Sequence, residues 1–371
     1  MRLAAALERL GTESAFEVLA RATALARTGR DIINLGIGQP DFPTPPNIVE
    51  AAVRALREAV AEDMLARRGA AVDPDRVVVV PGGKVTMAFA VLMFGEPGAE
   101  IMYPDPGFPI YRSLIEYTGA EPVPIALHEA KGFAFSAEEV LARITPRTRL
   151  IIVNSPANPT GGVVPKAELD ALVQGLERFP DTAVLSDEIY ARMCYDGVPH
   201  ASLLPYESIR DRLIVLDGWS KTYAMTGWRL GWGVWPEALA PTATRLAINI
   251  HSCVGAATQW AGIEALRGPQ DSVDRMVAEL DRRRDVIVAE LNRIPGFRCV
   301  RPGGAFYAFP NVEGTGKGSR QLQDELLDRL GVAVVSGTSF GIHGEGYLRF
   351  SYAASTEAIL EACERIRRYL G

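Results

Sequence analysis

Cysteine and histidine are scarce, with four of each among 371 residues. Cys194, Cys253, Cys299 and Cys363 lie far apart and form no C-x-x-C pair, which argues against a structural zinc site and fits a reducing compartment. Positive charge is in deficit: 39 Lys and Arg face 45 Asp and Glu, for a net charge of −6 and a pI near 5.5. A protein that grips nucleic-acid phosphates needs the opposite balance. Long apolar runs are missing too, and nothing approaches the roughly 20 residues of a membrane helix. The opening stretch, residues 1–8, is mildly apolar, but Glu8 and Arg9 interrupt it too early for a signal-peptide core. The expectation is a soluble, cytoplasmic protein without nucleic-acid or membrane partners. Low-complexity tracts and short repeats are absent. What remains is ordinary globular composition, 48% hydrophobic and 23% charged, over a length that suits roughly two or three domains.

The residues that are present follow a rhythm. Short apolar runs lead into loops rich in glycine, proline and asparagine, and then into helical patterns. Residues 76–80 (RVVVV) lead into Pro81-Gly82-Gly83-Lys84, with a helix predicted over 85–94. Residues 101–103, 150–153, 183–185 and 213–216 lead in the same way into 104–108, 154–162, 186–190 and 217–221. Continuous apolar strands alternating with helices predict an α/β fold whose mostly parallel sheet is covered by helices on both faces. Ligands of such sheets bind beyond the carboxyl ends of the strands, where all the unusual polar residues fall. From about Gly268 the pattern changes. Residues 271–294 read as one long charged helix, 297–309, 332–335 and 347–351 as strands, and 356–370 as a terminal helix. The predicted division is an N-terminal segment over 1–40 joining a small domain, a large domain over 41–268, and a small α+β domain over 269–371. The proline-rich residues 39–46 would make the crossing.

Several side chains at the strand ends suggest chemistry. Lys221 has Trp219, Tyr223, Met225 and Trp228 as sequence neighbours, and a desolvated lysine becomes a nucleophilic amine able to form a Schiff base. The alternative is an ordinary solvated lysine. Ser220 and Arg229 together can hold an anion such as a phosphate. Asp187 and Glu188 are adjacent on a strand and so point to opposite faces, which argues against a shared catalytic pair. A single carboxylate at Asp187 suits a protonated ring nitrogen, or else caps a helix. Gly82-Gly83-Lys84 opens a helix and offers backbone N–H groups to an anion; a plain tight turn is the alternative. Lys84 there opposes the helix dipole, a conflict that a bound anion removes. Asn158 lies between prolines, so its amide is aimed, unless it only makes an Asn-Pro turn. Phe108 can stack on a planar ring or pack in the core. Arg349, in the alternating stretch 347–351, offers a fork for a carboxylate or faces solvent. A nucleophilic lysine, a carboxylate for a pyridinium nitrogen, a phosphate cradle, a stacking ring and a carboxylate clamp describe a pyridoxal-phosphate site acting on an amino acid.

Residues 154–161 (NSPANPTG), 186–190 (SDEIY) and 220–231 (SKTYAMTGWRLG) resemble class I/II aminotransferases, pyridoxal 5′-phosphate enzymes of fold type I, with the aspartate aminotransferase-like branch nearest. Residues 36–42 (GIGQPDF) and 348–353 (LRFSYA) extend the resemblance nearly end to end. It implies that Lys221 forms the imine with the cofactor and that Asp187 binds the pyridine nitrogen. Asn158 and Tyr190 would bond the ring's phenolic oxygen, with Phe108 stacked on the ring. Gly83, Lys84, Ser220 and Arg229 would surround the phosphate, and Arg349, Asn158 and the Gly38 backbone would take the substrate α-carboxylate. Lys221, Asp187 and Tyr190 are the implied catalytic set. The implied reaction passes an amino group from an L-amino acid to a 2-oxo acid with ping-pong kinetics, in amino acid metabolism. A homodimer with its active sites near the subunit interface is implied as well.

Relatives of this family carry a further segment, on the order of fifteen residues, between the helix resembling 49–58 and the next, resembling 59–69. Here the two run together, and a single helix over about 47–69 would be roughly 35 Å long. The segment is either truly deleted or left out of the sequence; because such a helix would overshoot its packing, omission is favoured, and a chain break near residues 57–59 is expected. Two other readings compete. One is a different reaction on the same fold, such as β-elimination or decarboxylation; the other is a non-catalytic cofactor-binding regulator, disfavoured by the acidic pI. Gly314-Thr315-Gly316-Lys317-Gly318 follows no strand and lacks the phosphate-loop spacing, so it reads as a loop. For the substrate, the resemblance to the aspartate branch implies that Lys84 can contact a side-chain carboxylate, which weakly favours aspartate or glutamate, whereas Phe16, Tyr307 and Phe340 could equally make room for apolar side chains.

Overall fold

The computed structural model describes residues 14–36 and 56–371; Gly38, the 39–46 crossing and the start of the 47–69 stretch lie outside them. In chain order the strands are β1 (Ile33–Asn34), β2 (Val77–Val80), β3 (Glu100–Asp105), β4 (Glu121–Ala126), β5 (Thr148–Asn154), β6 (Ala183–Asp187), β7 (Leu213–Gly218), β8 (Gly231–Val234), β9 (Tyr307–Ala308), β10 (Val332–Ala333), β11 (Val335–Ser336) and β12 (Leu348–Ser351). β2 to β8 form one sheet in the order β2-β8-β7-β6-β5-β3-β4, parallel except for β8, which runs antiparallel to both of its neighbours.

The strands are apolar on both sides because both faces are covered. In β5, Leu150 and Ile152 point into one core with the helices Lys84–Phe94, Ile110–Thr118 and Ala240–His251. Ile151 and Val153 point into the other, with Arg57–Arg68, Lys166–Leu176 and Ala256–Arg267. This is the predicted α/β layering. β8 escaped the sequence reading because glycines occupy two of its four positions. They are there for steric reasons: a Cβ on Gly231 would lie 2.4 Å from the backbone nitrogen of Gly83, so only glycine lets β8 pass under the Gly82-Gly83 turn.

A third core gathers residues of the C-terminal third. The helix Asp271–Leu291 contributes Met276, Leu280, Ile287 and Leu291, and packs with Phe306, Leu326 and Phe350 and with the terminal helix Thr356–Leu370. β11, β12 and β9 form a small antiparallel sheet, and β1 pairs in parallel with β10. Two predicted strands are corrected here. Of residues 297–309 only Tyr307–Ala308 is strand, since Pro302 cannot donate to a ladder and Ala305 sits at φ 56°. Residues 332–335 divide between β10 and β11, which belong to different sheets.

The expected chain break near residues 57–59 is also corrected. A helix starts at Arg57, and its first turn is closed by the Val60 N–H donating to the Leu56 carbonyl at 3.1 Å. A closed helical turn requires residues 57–59 to be contiguous.

Candidate active site

Strand register places the polar residues side by side. Asn154, Asp187 and Leu216 are partners at the ends of β5, β6 and β7, and Lys221 follows β7 on the short helix Trp219–Thr222. Arg349 comes from β12. Leu348 and Phe350 on either side are buried in the C-terminal core, so the alternation turns Arg349 to the opposite face. It is not solvated: only 2% of it is exposed.

The contacts among these residues form one continuous chain. The Lys84 ammonium lies 5.1 Å from the Phe108 ring centroid, and Phe108 meets Tyr111 edge-on at 5.7 Å. The Tyr111 hydroxyl donates to Asp187 at 2.6 Å. The Asn154 amide donates to the Asp187 carbonyl at 3.1 Å and accepts from the Asn158 N–H at 3.0 Å, which orients Asn158. The Asn158 side-chain oxygen accepts from Arg349 Nη1 at 2.9 Å, while Nη2 donates to the Gly36 carbonyl. The Arg349 guanidinium lies 4.7 Å from the Tyr307 ring centroid and 4.8 Å from that of Phe340. Tyr307 and Tyr190 share a 2.8 Å hydrogen bond between hydroxyls. Tyr190 packs edge-on against Phe306, and the Lys221 ammonium lies 5.5 Å from that same ring.

The two adjacent carboxylates separate as expected. Burial lifts Asp187 to about 6, with the Tyr111 hydroxyl and the Ile189 N–H pulling it back. Glu188 points away, to Arg68 (2.9 Å), His200 (3.1 Å) and the Ser186 and Ser202 hydroxyls. Burial would raise its pKa too, but His200 and Arg68 hold it well below the usual carboxylate range. Arg68 also pairs with Asp217, whose carboxylate accepts the Gly218 N–H. Burial, with Tyr307 beside it, keeps the Tyr190 hydroxyl far above its ordinary pKa, so Tyr190 is protonated and able to donate.

At the other end, Gly82 (φ 92°) and Gly83 turn into the helix Lys84–Phe94. The Arg229 guanidinium lies across the turn, bonded to the Thr226 and Pro81 carbonyls, and a Cβ on Gly82 would collide with it at 2.2 Å. Ser220 is buried nearby in sequence to Lys221, and Lys84 and Arg229 are exposed.

The sequence matches the family "Aminotransferase class I and II" over residues 30–366. It is 37% identical to an aspartate aminotransferase of Pyrococcus horikoshii, covering 92% of this chain and 91% of that protein. It is 36% identical to the arginine–pyruvate transaminase of Pseudomonas aeruginosa, over 95% of this chain and 93% of that one. The fold superposes on the crystal structure of the aspartate aminotransferase of Rhizobium meliloti with a TM-score of 0.94 at 32% identity, covering 100% and 99% of the two chains. The chain belongs to the class I and II aminotransferases. It is an aminotransferase, and the cofactor of the family is pyridoxal 5′-phosphate. The Pyrococcus alignment contains gaps on this chain's side. Of 371 residues, 92% is about 341, against 358 aligned positions, so about 17 positions of that relative face gaps in this chain.

The donor set fits pyridoxal 5′-phosphate. It combines an amide-and-cation end at Gly83, Lys84, Ser220 and Arg229, a buried carboxylate at Asp187, an aromatic face at Phe108 and protonated hydroxyls. Arg349 Nε is buried and without a partner among the described residues, a donor left over for a carboxylate. Of the predicted residues, Gly38 lies outside the description, as does the side chain of Phe16. Tyr307 and Phe340, read as room for an apolar side chain, flank Arg349 instead. Tyr111, Asn154, Phe306 and Arg68 were not anticipated. Tyr111 carried a faint signal, lying three residues after Phe108 where a starting helix returns to the same side.

Proposed function

We propose that this enzyme transfers the amino group of an L-amino acid to a 2-oxo acid by ping-pong chemistry, with Lys221 as the covalent anchor and proton carrier. The observation that carries this reading is the continuous chain of contacts from Lys84 through Asp187, Asn158 and Arg349 to Lys221. When bound, pyridoxal 5′-phosphate supplies an electron sink that stabilises the carbanion left when the substrate Cα loses its proton. Lys221 holds the cofactor's aldehyde carbon through its side-chain nitrogen. Lys221 would then carry the substrate Cα proton, taking it as general base and delivering it as general acid to the carbon that held the aldehyde. Asp187 would bind the ring nitrogen and keep it protonated, a task suited to a buried carboxylate without a cationic partner among the described residues. Tyr190 and Asn158 donate to the phenolic oxygen. Phe108 stacks on the ring, and Gly83, Lys84, Ser220 and Arg229 hold the phosphate. Arg349, Asn158 and the Gly38 backbone take the α-carboxylate.

Aspartate and glutamate are the favoured donors, because the exposed Lys84 ammonium beside Phe108 can meet a second carboxylate. The chain divides into an N-terminal segment (1–40), a large domain (41–268) and a small domain (269–371), with the site between strand ends of one and β12 of the other. Two copies pair with their sites near the interface; exposed Ile248 and Ile250 are suited to such a contact. The enzyme works in the cytoplasm. Among the described residues no helix is long and apolar enough to cross a membrane.

A panel of amino donors with 2-oxoglutarate or oxaloacetate as acceptor tests the reaction. Transfer should be fastest with the acidic donors, with parallel double-reciprocal lines. Release of ammonia or carbon dioxide without a paired new amino acid would replace transamination with elimination or decarboxylation.

A further inference from the structure

We propose that Tyr307 is a positioning residue that sets the direction of the Tyr190 proton with its hydroxyl and braces Arg349 with its ring. The inference rests on the site reading above and extends it.

The hydroxyl argument is one of counting. Each tyrosine has a single O–H and two lone pairs. The Tyr190–Tyr307 bond of 2.8 Å contains one proton, which either oxygen could supply. If the Tyr190 proton points at the cofactor's phenolic oxygen, the shared proton belongs to Tyr307. Tyr307 therefore donates to Tyr190 and polarises it, making Tyr190 the stronger donor. Both hydroxyls are buried, so water does not compete for either place.

The ring argument is one of register. Tyr307 pairs with Ser351 across β9 and β12, and Arg349 lies two positions along the same face of β12. That places the Tyr307 ring 4.7 Å from the guanidinium, with the Phe340 ring at 4.8 Å. A planar cation that touches two rings and is bonded through both Nη atoms is held in one orientation, which fixes the direction of Nε. One side chain thus touches both the residue that tunes the cofactor and the residue that takes the substrate carboxylate.

The two parts separate by substitution. A weaker Tyr190 donor leaves the phenolic oxygen more basic, so the neighbouring nitrogen holds its proton to higher pH. Tyr307→Phe, which keeps the ring, should raise the midpoint of the bound cofactor's visible absorption titration by roughly 0.3–0.7 pH unit. Its affinity for maleate as a substrate-like dicarboxylate should stay within about twofold. Tyr307→Leu should raise the midpoint equally and weaken maleate about three- to tenfold. In a Tyr190→Phe background, Tyr307→Phe should cause no further shift. Site-specific 3-fluorotyrosine at 307, a more acidic phenol of nearly the same shape, should move the midpoint down and keeps the test open if Tyr307→Phe does not fold. A midpoint unmoved by both replacements, or equal loss of maleate binding in Phe and Leu variants, would overturn the inference. Borohydride reduction of the unaltered holoenzyme separates the two levels. Absence of trapped cofactor refutes the site reading itself, whereas trapping with an unmoved midpoint refutes only the role of Tyr307.

Discussion

Asp187 and Glu188 are consecutive, both buried and both carboxylates, yet the protein treats them in opposite ways. Glu188 sits in a satisfied ionic cluster with Arg68, His200 and two serine hydroxyls, and its pKa is held low. Asp187 is given a tyrosine hydroxyl and a backbone amide, and its pKa rises to about 6. The first arrangement stabilises the fold: it ties the helix Arg57–Arg68 to the ends of β6 and β7. The second leaves a buried charge under-compensated in the free protein, which is useful only if a cationic partner arrives. Glu188 is matched by cations, whereas Asp187 has none beside it among the described residues.

Substitutions can break this contrast. The largest expected loss of stability is on the Glu188 side. Arg68→Leu strands Glu188 and Asp217 without their shared cation, and should cost about 3–5 kcal/mol in urea denaturation. Asp187→Asn should do the reverse: unfolding free energy above pH 6 is maintained or rises, while turnover falls at least about a hundredfold. A loss of stability in Asp187→Asn as large as that in Arg68→Leu would erase the distinction.

A smaller effect sharpens it through pH. Because the Asp187 pKa is raised in the folded state, the native protein binds more protons than the unfolded chain between about pH 4 and pH 6. Stability from this group therefore falls as pH rises through that window and is flat above it. The cofactor-free protein should lose about 2–3 kcal/mol relative to Asp187→Asn over that range, measured by urea melts of the two side by side.

How much of this was legible in the sequence follows the same division. The strand-end residues were legible because the sheet's periodicity and the glycine–proline loops locate strand ends without any knowledge of packing. That placed Lys221, Asp187, Asn158, Tyr190 and Gly83 at one edge, and the α/β layering followed from strands apolar on both faces. Arg349 was marked as a candidate by its apolar neighbours alone. Tyr307 was not read as its brace, because that role depends on the pairing of β9 with β12, more than 40 residues apart in sequence. Arg68 was invisible for a similar reason: on a helix with many charges, nothing local distinguishes the arginine that turns inward. β8 was hidden by its glycines, which serve the turn beneath it rather than strand propensity. The chain break expected near Arg57 came from a segment that relatives carry and from the length a fused helix would have; the helix Arg57–Arg68 instead begins without a break.

The central claim is that the Lys221 amine holds the cofactor. Reduction of the holoenzyme with borohydride, followed by proteolysis and mass mapping, tests it directly. The account predicts a single pyridoxyl adduct on the peptide containing Lys221, and none in Lys221→Ala. An adduct on a different lysine, or full transaminase turnover in Lys221→Ala, would contradict it.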